Sequence, residues 1–105
     1  MYYKSKRSKK TDITKAVKDK VWERDGHRCV ICKSPFAMPN AHYIPRSKGG
    51  LGVEQNIVTL CMRCHQLTDQ SQHRQFMLDK IEKYLTSKYE NWNKDDLVYD
   101  KSRQF

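Results

Sequence analysis

Apolar residues recur at helical spacing in two parts of the chain, and each part predicts a helix. The first helix is expected over residues 14–24, where every fourth position is apolar. We expect this helix to end at Gly26, because glycine readily adopts the left-handed conformation that closes a helix. A second stripe predicts a longer helix over residues 72–89. We expect its core face to consist of Phe76, Met77, Ile81, Tyr84, Leu85 and Tyr89.

Short apolar runs between the two helices predict strands. Residues 28–33 predict a short strand and then a tight turn that aims two thiols at one point. Residues 41–44 predict a strand that ends at Pro45. Residues 57–60 predict another strand, which leads into a pair of cysteines.

The remaining central segments are interpreted as loops and one short helix. Residues 34–39 form a first loop, and residues 46–55 form a second one that is unusually long for so small a domain. A short helix is expected to begin near residue 64 and to end at about residue 68. A break over residues 69–71 separates it from the long helix.

The length of 105 residues corresponds to one small domain. Only 37% of the residues are apolar, so the core is marginal and an additional staple is expected. We divide the chain into a disordered basic arm (residues 1–11), a folded domain (12–92) and a C-terminal tail (93–105). In the tail, Leu97 and its two neighbours can pack back onto the domain.

Two CxxC pairs, separated by 28 residues, supply a candidate staple. They consist of Cys29, Cys32, Cys61 and Cys64. No apolar run follows the basic start and no membrane-spanning stretch is present, so we expect a cytosolic protein with reduced thiols. Metal is then favoured over the competing disulfides. Four cysteines close a tetrahedral structural zinc site, and the segment between the pairs has to contain a hairpin.

The charge balance predicts a polyanionic partner. The chain has 21 Lys and Arg against 12 Asp and Glu, a net charge of +9, and nucleic acid is the usual partner of such a surface. A basic protein without that role is the alternative, whereas a membrane-surface role would need an apolar face that the basic arm lacks. The arm itself either follows a phosphate backbone or is a solvated tail.

The zinc assignment leaves His42 and His65 free for other chemistry. Sulfur fills all four positions, and the ring of His65 does not easily reach the metal held by the adjacent Cys64. A single histidine is usually structural. Two of them around the second cysteine pair suggest a functional site.

The segments AHYIPRSKGG (residues 41–50) and NIVTLCMRCH (56–65) resemble the HNH endonucleases, above all the small phage-type members with a four-cysteine zinc. The similarity extends to VWERDGHRCVIC (21–32) and KYLTSKYENW (83–92). The resemblance implies an α+β fold of the ββα-metal type (treble-clef-like, His-Me finger) with flanking N- and C-terminal helices. A divalent ion would lie between the hairpin and the helix that follows it.

The resemblance also implies roles for individual residues. Phosphodiester hydrolysis requires a base for the attacking water and a cation for the developing charge. Imidazole titrates near neutral pH, so His42 can be the base, as the first motif histidine is in the family. Asn56 would hold the loop so that the His42 ring is oriented, although an ordinary loop-closing asparagine is the alternative. His65 would be a metal ligand.

One position departs from the family pattern. Many members have a metal-binding aspartate directly before the first histidine, where this chain has Ala41. Asp69 is the replacement ligand we favour, because it lies four residues after His65 on the same helical face and would suit Mg²⁺ or Mn²⁺. The alternative role of Asp69 is a helix cap with Gln72. His73 is a weaker ligand candidate.

Three cations are candidate phosphate contacts, or else solvated surface residues: Arg46, Lys48 and Arg63. Such contacts position DNA without reading its sequence, so intrinsic specificity should be low.

The sequence leaves three functions open. The first is a metal-dependent HNH DNA endonuclease, whose products the resemblance implies to be 5′-phosphate and 3′-hydroxyl ends. The second is a non-catalytic zinc module that binds nucleic acid. The third is a phage packaging or adaptor protein, because small phage HNH proteins are linked with terminase and portal components.

Overall fold

The structure is a computed structural model that describes residues 6–100, apart from the side chains of residues 6 and 71. Four helices and a two-stranded antiparallel sheet form one α+β unit. The elements are α1 (Lys6–Thr11), α2 (Lys15–Arg24), β1 (Ala37–His42), β2 (Ile57–Cys61), α3 (Met62–Asp69) and α4 (Ser71–Lys88), with 3-10 turns at Arg46–Lys48 and Lys94–Leu97. Within this part of the chain no helix has the length and apolar character needed to cross a membrane.

The strand pair β1–β2 is the predicted hairpin. Ala37 pairs with Cys61 and His42 with Ile57, and the register shifts between Met38 and Ala41. The expected loop over residues 34–39 is therefore wrong in its second half, which belongs to β1. Pro39 lies at this irregularity. Proline is tolerated there because it has no N–H group, which a regular strand position would need for a hydrogen bond to the neighbouring strand.

The segment with the first cysteine pair is a turn, so the tight turn expected within residues 28–33 is confirmed and the short strand expected before it is wrong. Lys33 N–H donates to the Cys29 carbonyl over 3.0 Å, and Cys29 N–H donates to the Ser34 carbonyl over 2.9 Å. These bonds close the chain on itself. Lys33 adopts a positive φ of 67°, which an extended strand excludes.

The core lies between the hairpin and α4. All five residues of β2 are buried, and α4 contributes Met77, Ile81 and Leu85 as predicted. Phe76 was expected in the same stripe but is 62% exposed. Its neighbour Met77 takes the core position, and the ammonium group of Lys80 lies over the Phe76 ring.

The end of α2 is fixed to the hairpin by a charged pair. The helix begins one residue later than expected, because Thr14 is its N-cap, and Gly26 follows it with a positive φ of 69° as predicted. Arg24 donates to the Ile57 carbonyl over 2.7 Å, and Asp25 accepts the Thr59 N–H over 2.8 Å. These bonds satisfy backbone groups of the buried β2 that no neighbouring strand would reach.

The prediction for the N-terminal arm is wrong over the described residues, whereas the prediction for the C-terminal tail is confirmed. Residues 6–11 form α1, whereas the composition suggested a disordered arm. The tail packs back as expected: Leu97 is buried, and Gly50 pairs with Val98 in an isolated bridge. The expectations for residues 1–5 and 101–105 lie outside the described residues.

Candidate metal centre and active-site cleft

The four cysteines come together at one point. Their sulfur atoms all lie within 4.8 Å of one another, and those of Cys32 and Cys61 are 3.5 Å apart. A tetrahedral zinc–thiolate site with bonds of about 2.3 Å has sulfur–sulfur edges of roughly 3.8 Å. The cluster therefore fits a structural metal such as zinc.

Local structure explains why the thiols converge. Cys61 ends β2 and is also the N-cap of α3, where its sulfur accepts the Cys64 N–H over 3.4 Å. The turn at residues 29–34 brings the other pair to the same place. Burial raises the pKa of Cys29, but bonds from the backbone N–H groups of Cys32, Cys61 and Ile31 outweigh it and lower this pKa to about 7. The thiolate is the form that binds metal.

A second site is a cleft of about 280 Å³ between the hairpin and the helices α3 and α4. Five of its lining residues carry groups suited to phosphodiester chemistry: His42, Arg46, His65, Asp69 and Arg74. The first two come from β1 and the following loop, the next two from α3, and the last from α4. The wall beside His42 includes Ala41, so this side of the cleft offers a methyl group where a carboxylate would offer a ligand.

His42 is half-buried and has a defined partner. Its Nε2 lies 2.9 Å from the backbone oxygen of Thr11. A carbonyl can only accept, so Nε2 carries the hydrogen and Nδ1 is the basic nitrogen of the neutral ring. Burial lowers the pKa of His42 and the positive charge of Arg46 lowers it further, against the opposing effects of the Thr11 bond and Asp12. The imidazole is therefore neutral at neutral pH.

His65 and Asp69 form a pair one helical turn apart. Nδ1 of His65 lies 3.3 Å from a carboxylate oxygen of Asp69, and both side chains are partly exposed to the cleft. Asp69 is the last residue of α3, while Gln70 is the N-cap of α4 without a side-chain capping bond. Asp69 is therefore not the N-cap of α4, as the alternative role with Gln72 would require. His73 is exposed on α4.

The donor set of this pair suits a divalent ion but is small. One imidazole nitrogen and one carboxylate face the same space, as ligands of Mn²⁺ or Mg²⁺ do. Among residues 6–100, the only group of three or more His, Cys, Asp or Glu ligands within reach of one ion is the cysteine cluster.

Asn56 lies behind the cleft and is fully buried. Its carboxamide accepts the Ile44 N–H over 2.8 Å and donates to the carbonyls of Ile44 (3.2 Å) and Leu51 (2.8 Å). These three bonds join the beginning and the end of the loop after β1. A Cβ on Gly50 would lie 1.7 Å from the Ile44 oxygen, so this loop is closed too tightly for any side chain there.

The basic residues divide into those in the cleft and those outside it. Arg46 lines the cleft and is paired with Asp12. Lys48 and Arg63 are exposed, and neither lines it. Arg74, a half-buried cation, was missed by the sequence reasoning. Its four-residue spacing from Leu78 was the available signal, because both side chains line the cleft from one face of α4.

Comparisons with known proteins bear on this arrangement. Residues 29–80 match the model of the HNH endonuclease family. The protein called anaredoxin from Nostoc sp. is 38% identical over 42 residues, which are 39% of this chain and 55% of that protein. The chain thus spans about half the length of this curated relative. No solved structure gives a significant match.

The family match and the geometry agree on the segment between the cysteine pairs. The matched residues 29–80 contain the hairpin, α3 and the first part of α4, and hence every cleft residue from Asn40 to Leu78. The match indicates a nuclease or other nucleic-acid-related function. Residues 29–80 are therefore a segment of the HNH endonuclease family, built around a four-cysteine cluster that fits zinc.

Proposed function

We propose that this protein is a metal-dependent DNA endonuclease that hydrolyses phosphodiester bonds. The observation that carries the proposal is the shared cleft: a neutral His42 faces the same space as the His65–Asp69 pair. A base and a cation-binding pair at one site are what phosphodiester hydrolysis requires. A module that only binds nucleic acid has no need for them.

In the proposed reaction His42 Nδ1 takes a proton from a water molecule as its oxygen attacks the phosphorus. The bond from phosphorus to the 3′-oxygen breaks and the leaving oxygen takes a proton from solvent water, so the products are a 5′-phosphate and a 3′-hydroxyl. A divalent ion bound by His65 and Asp69 would neutralise charge on the phosphate and on the leaving oxygen. Nε2 keeps its hydrogen throughout and donates it to the Thr11 carbonyl, and this hydrogen bond stabilises the imidazolium that forms.

The surrounding cations hold the DNA. Arg46 and Arg74 line the cleft and would bind the scissile phosphate, because a guanidinium can bind it through two parallel hydrogen bonds. Lys48 and Arg63 contact phosphates further along the backbone. Such contacts fix the position of the DNA without reading its sequence.

Asn56 is assigned an indirect part in catalysis. Its three bonds hold the loop that carries Arg46, and the loop begins directly after His42. The structural zinc in turn holds α3, and with it His65, against the hairpin.

The biological setting we propose is a bacterial cytoplasm during phage growth, with terminase or portal proteins as partners. This rests on the resemblance to small phage-type members alone. A non-catalytic packaging or nucleic-acid-binding protein is the second candidate, and one observation favours it: Ala41 leaves the cleft with two protein ligands for an ion.

Nicking of supercoiled plasmid DNA tests the proposal. Zinc-loaded protein is assayed with Mg²⁺, Mn²⁺, Ni²⁺ or added Zn²⁺, next to Asp69→Asn and the control Asp79→Asn, an exposed carboxylate that pairs with Gln75. We expect divalent-dependent nicks that DNA ligase reseals directly, since ligase requires a 5′-phosphate and a 3′-hydroxyl. Asp69→Asn should need more metal, whereas Asp79→Asn should not. DNA binding without nicking in any metal would favour the second candidate.

A further inference from the structure

The N-terminal segment lies across the loop that follows β1. The Arg7 guanidinium donates to the carbonyls of Arg46 (3.3 Å) and Ser47 (2.8 Å). At the other end of the loop, Gly52 N–H donates to the Lys10 carbonyl over 2.9 Å. Three backbone positions of the loop are thus bonded to a segment 39 to 42 residues earlier in the chain.

The same segment reaches the two cleft residues nearest the loop. The Thr11 carbonyl accepts the Nε2 hydrogen of His42, and the Asp12 carboxylate pairs with Arg46. Thr11 is buried, and its hydroxyl donates to the Ser8 carbonyl over 3.2 Å, so the carbonyl that meets His42 belongs to an ordered turn of helix.

The contact between segment and loop is too close for a side chain. A Cβ on Gly52 would lie 2.0 Å from the Asp12 oxygen and 2.6 Å from its carbonyl carbon. Gly52 does not have a positive φ, so its backbone conformation is open to alanine. Glycine is needed here for the approach of the N-terminal segment and not for the shape of the loop.

We propose that residues 7–12 are a positioning element of the active site, which holds the His42 ring in the tautomer that leaves Nδ1 free to accept a proton. A histidine base works only if the correct nitrogen is unprotonated and correctly aimed, and the partner of the other nitrogen decides this. Thr11 and Asp12 touch His42 and Arg46 and act through them. The consequence for catalysis rests on the proposed nuclease function, whereas the assignment of the hydrogen to Nε2 rests on the Thr11 hydrogen bond alone.

The competing interpretation is that this segment contributes only positive charge along a DNA backbone. The chain offers a charge-matched pair that separates the two. Arg7 bonds to the loop, while Lys9 is exposed on the same helix. Arg7→Gln and Lys9→Gln remove the same charge, but only Arg7→Gln removes contacts with the loop.

The first test is nitrogen-15 NMR of the His42 ring in the zinc-loaded full chain at about pH 8, above the ordinary histidine pKa of about 6.5. We expect hydrogen on Nε2 alone in the wild type. Gly52→Ala should displace the segment and give a mixture of tautomers. If Gly52→Ala does not fold, Arg7→Gln against Lys9→Gln replaces it, with a mixture expected only for Arg7→Gln. A wild-type ring protonated on Nδ1, or already mixed, overturns the proposal.

The second test is single-turnover nicking by the same variants. Misplacement of a catalytic group by about 1 Å costs up to roughly 100-fold, so we expect Arg7→Gln and Gly52→Ala to lower the rate at saturating DNA by about 10- to 100-fold. The DNA concentration that gives half of the maximal rate should stay, for both variants, within about threefold of the value for Lys9→Gln. Equal weakening of DNA binding by both glutamine variants, with unchanged saturating rates, contradicts positioning. If the wild type cuts nothing but shows the Nε2 tautomer, the proposed function fails and the positioning stands.

Discussion

At the scale of single residues, the cleft depends on neighbours that are distant in sequence. His42 and His65 were predicted from their motif, because spacing around the second cysteine pair places them on a strand end and a helix start. The partner of His42 is the Thr11 carbonyl, 31 residues away. Any backbone carbonyl can accept a hydrogen bond, so no residue type signals this partner in the sequence.

The pH dependence of cleavage follows from the surroundings of His42. The base is active when neutral, and burial places its pKa below the ordinary value of 6.5. As pH falls, the single-turnover rate should therefore remain high down to 6.5 and decline only below it. The rate is measured at saturating Mn²⁺ from about pH 5 to 8. A midpoint above 6.5 would mean that the ring is held in its charged form.

The metal-binding capacity of the cleft should respond to Ala41. Ala41→Asp adds a carboxylate to a wall already shared with His65 and Asp69, and more ligand charge strengthens binding of hard cations. We expect Mn²⁺ affinity to rise by roughly tenfold, about 1.4 kcal/mol, as measured by calorimetry. Ala41→Asn is the uncharged control of equal size. Equal affinity for both variants would indicate that Asp69 already occupies that ligand position.

At the scale of elements, β2 and the long helix were predicted well, whereas β1 begins four residues before the strand expected at residues 41–44 and ends two residues before it. Residues 57–60 form an apolar run and residues 72–89 carry an apolar stripe at helical spacing, and β2 and α4 lie there within one residue at each end. Residues 28–33 contain an apolar pair that suggests a strand. The structure has only the turn that was predicted after it, because the four cysteines have to converge, and this constraint outweighs the local β-propensity.

The cysteine cluster joins the turn at residues 29–34 to the end of β2 and the start of α3. Cys61→Ser removes one ligand at the junction of β2 and α3, and structural zinc contributes about 10–16 kcal/mol of binding energy against a typical domain stability of about 5–15 kcal/mol. We expect the variant to be largely unfolded at 25 °C by circular dichroism. Chelation of zinc from the wild type should give the same result. If Cys61→Ser unfolds at the same temperature as wild type, and chelators do not change the melting of the wild type, then the metal does not stabilise the fold.

At the scale of the whole molecule, both ends of the described chain restrain the loop between the two strands. Lys10 bonds to Gly52 from the N-terminal side, and Tyr99 N–H donates to the Gly49 carbonyl over 2.7 Å from the tail. Asn56 closes the loop from within. The sequence predicted the unusual length of this loop, but it also predicted that residues 6–11 belong to a disordered arm, whereas they form α1. Charge and low hydropathy indicate solvation and carry no information about backbone groups that can dock.

The central claim is that the cleft cuts DNA with His42 as base. The most direct measurement is the single-turnover nicking rate of His42→Ala against His73→Ala, with both variants matched to wild type in zinc content and circular dichroism. His73, the weaker ligand candidate of the sequence, is exposed on α4 and does not line the cleft, so it serves as the control. A general base contributes about 10²- to 10⁴-fold, so His42→Ala should be at least roughly 100-fold slower, while His73→Ala retains the wild-type rate. An unchanged rate for His42→Ala would contradict the claim.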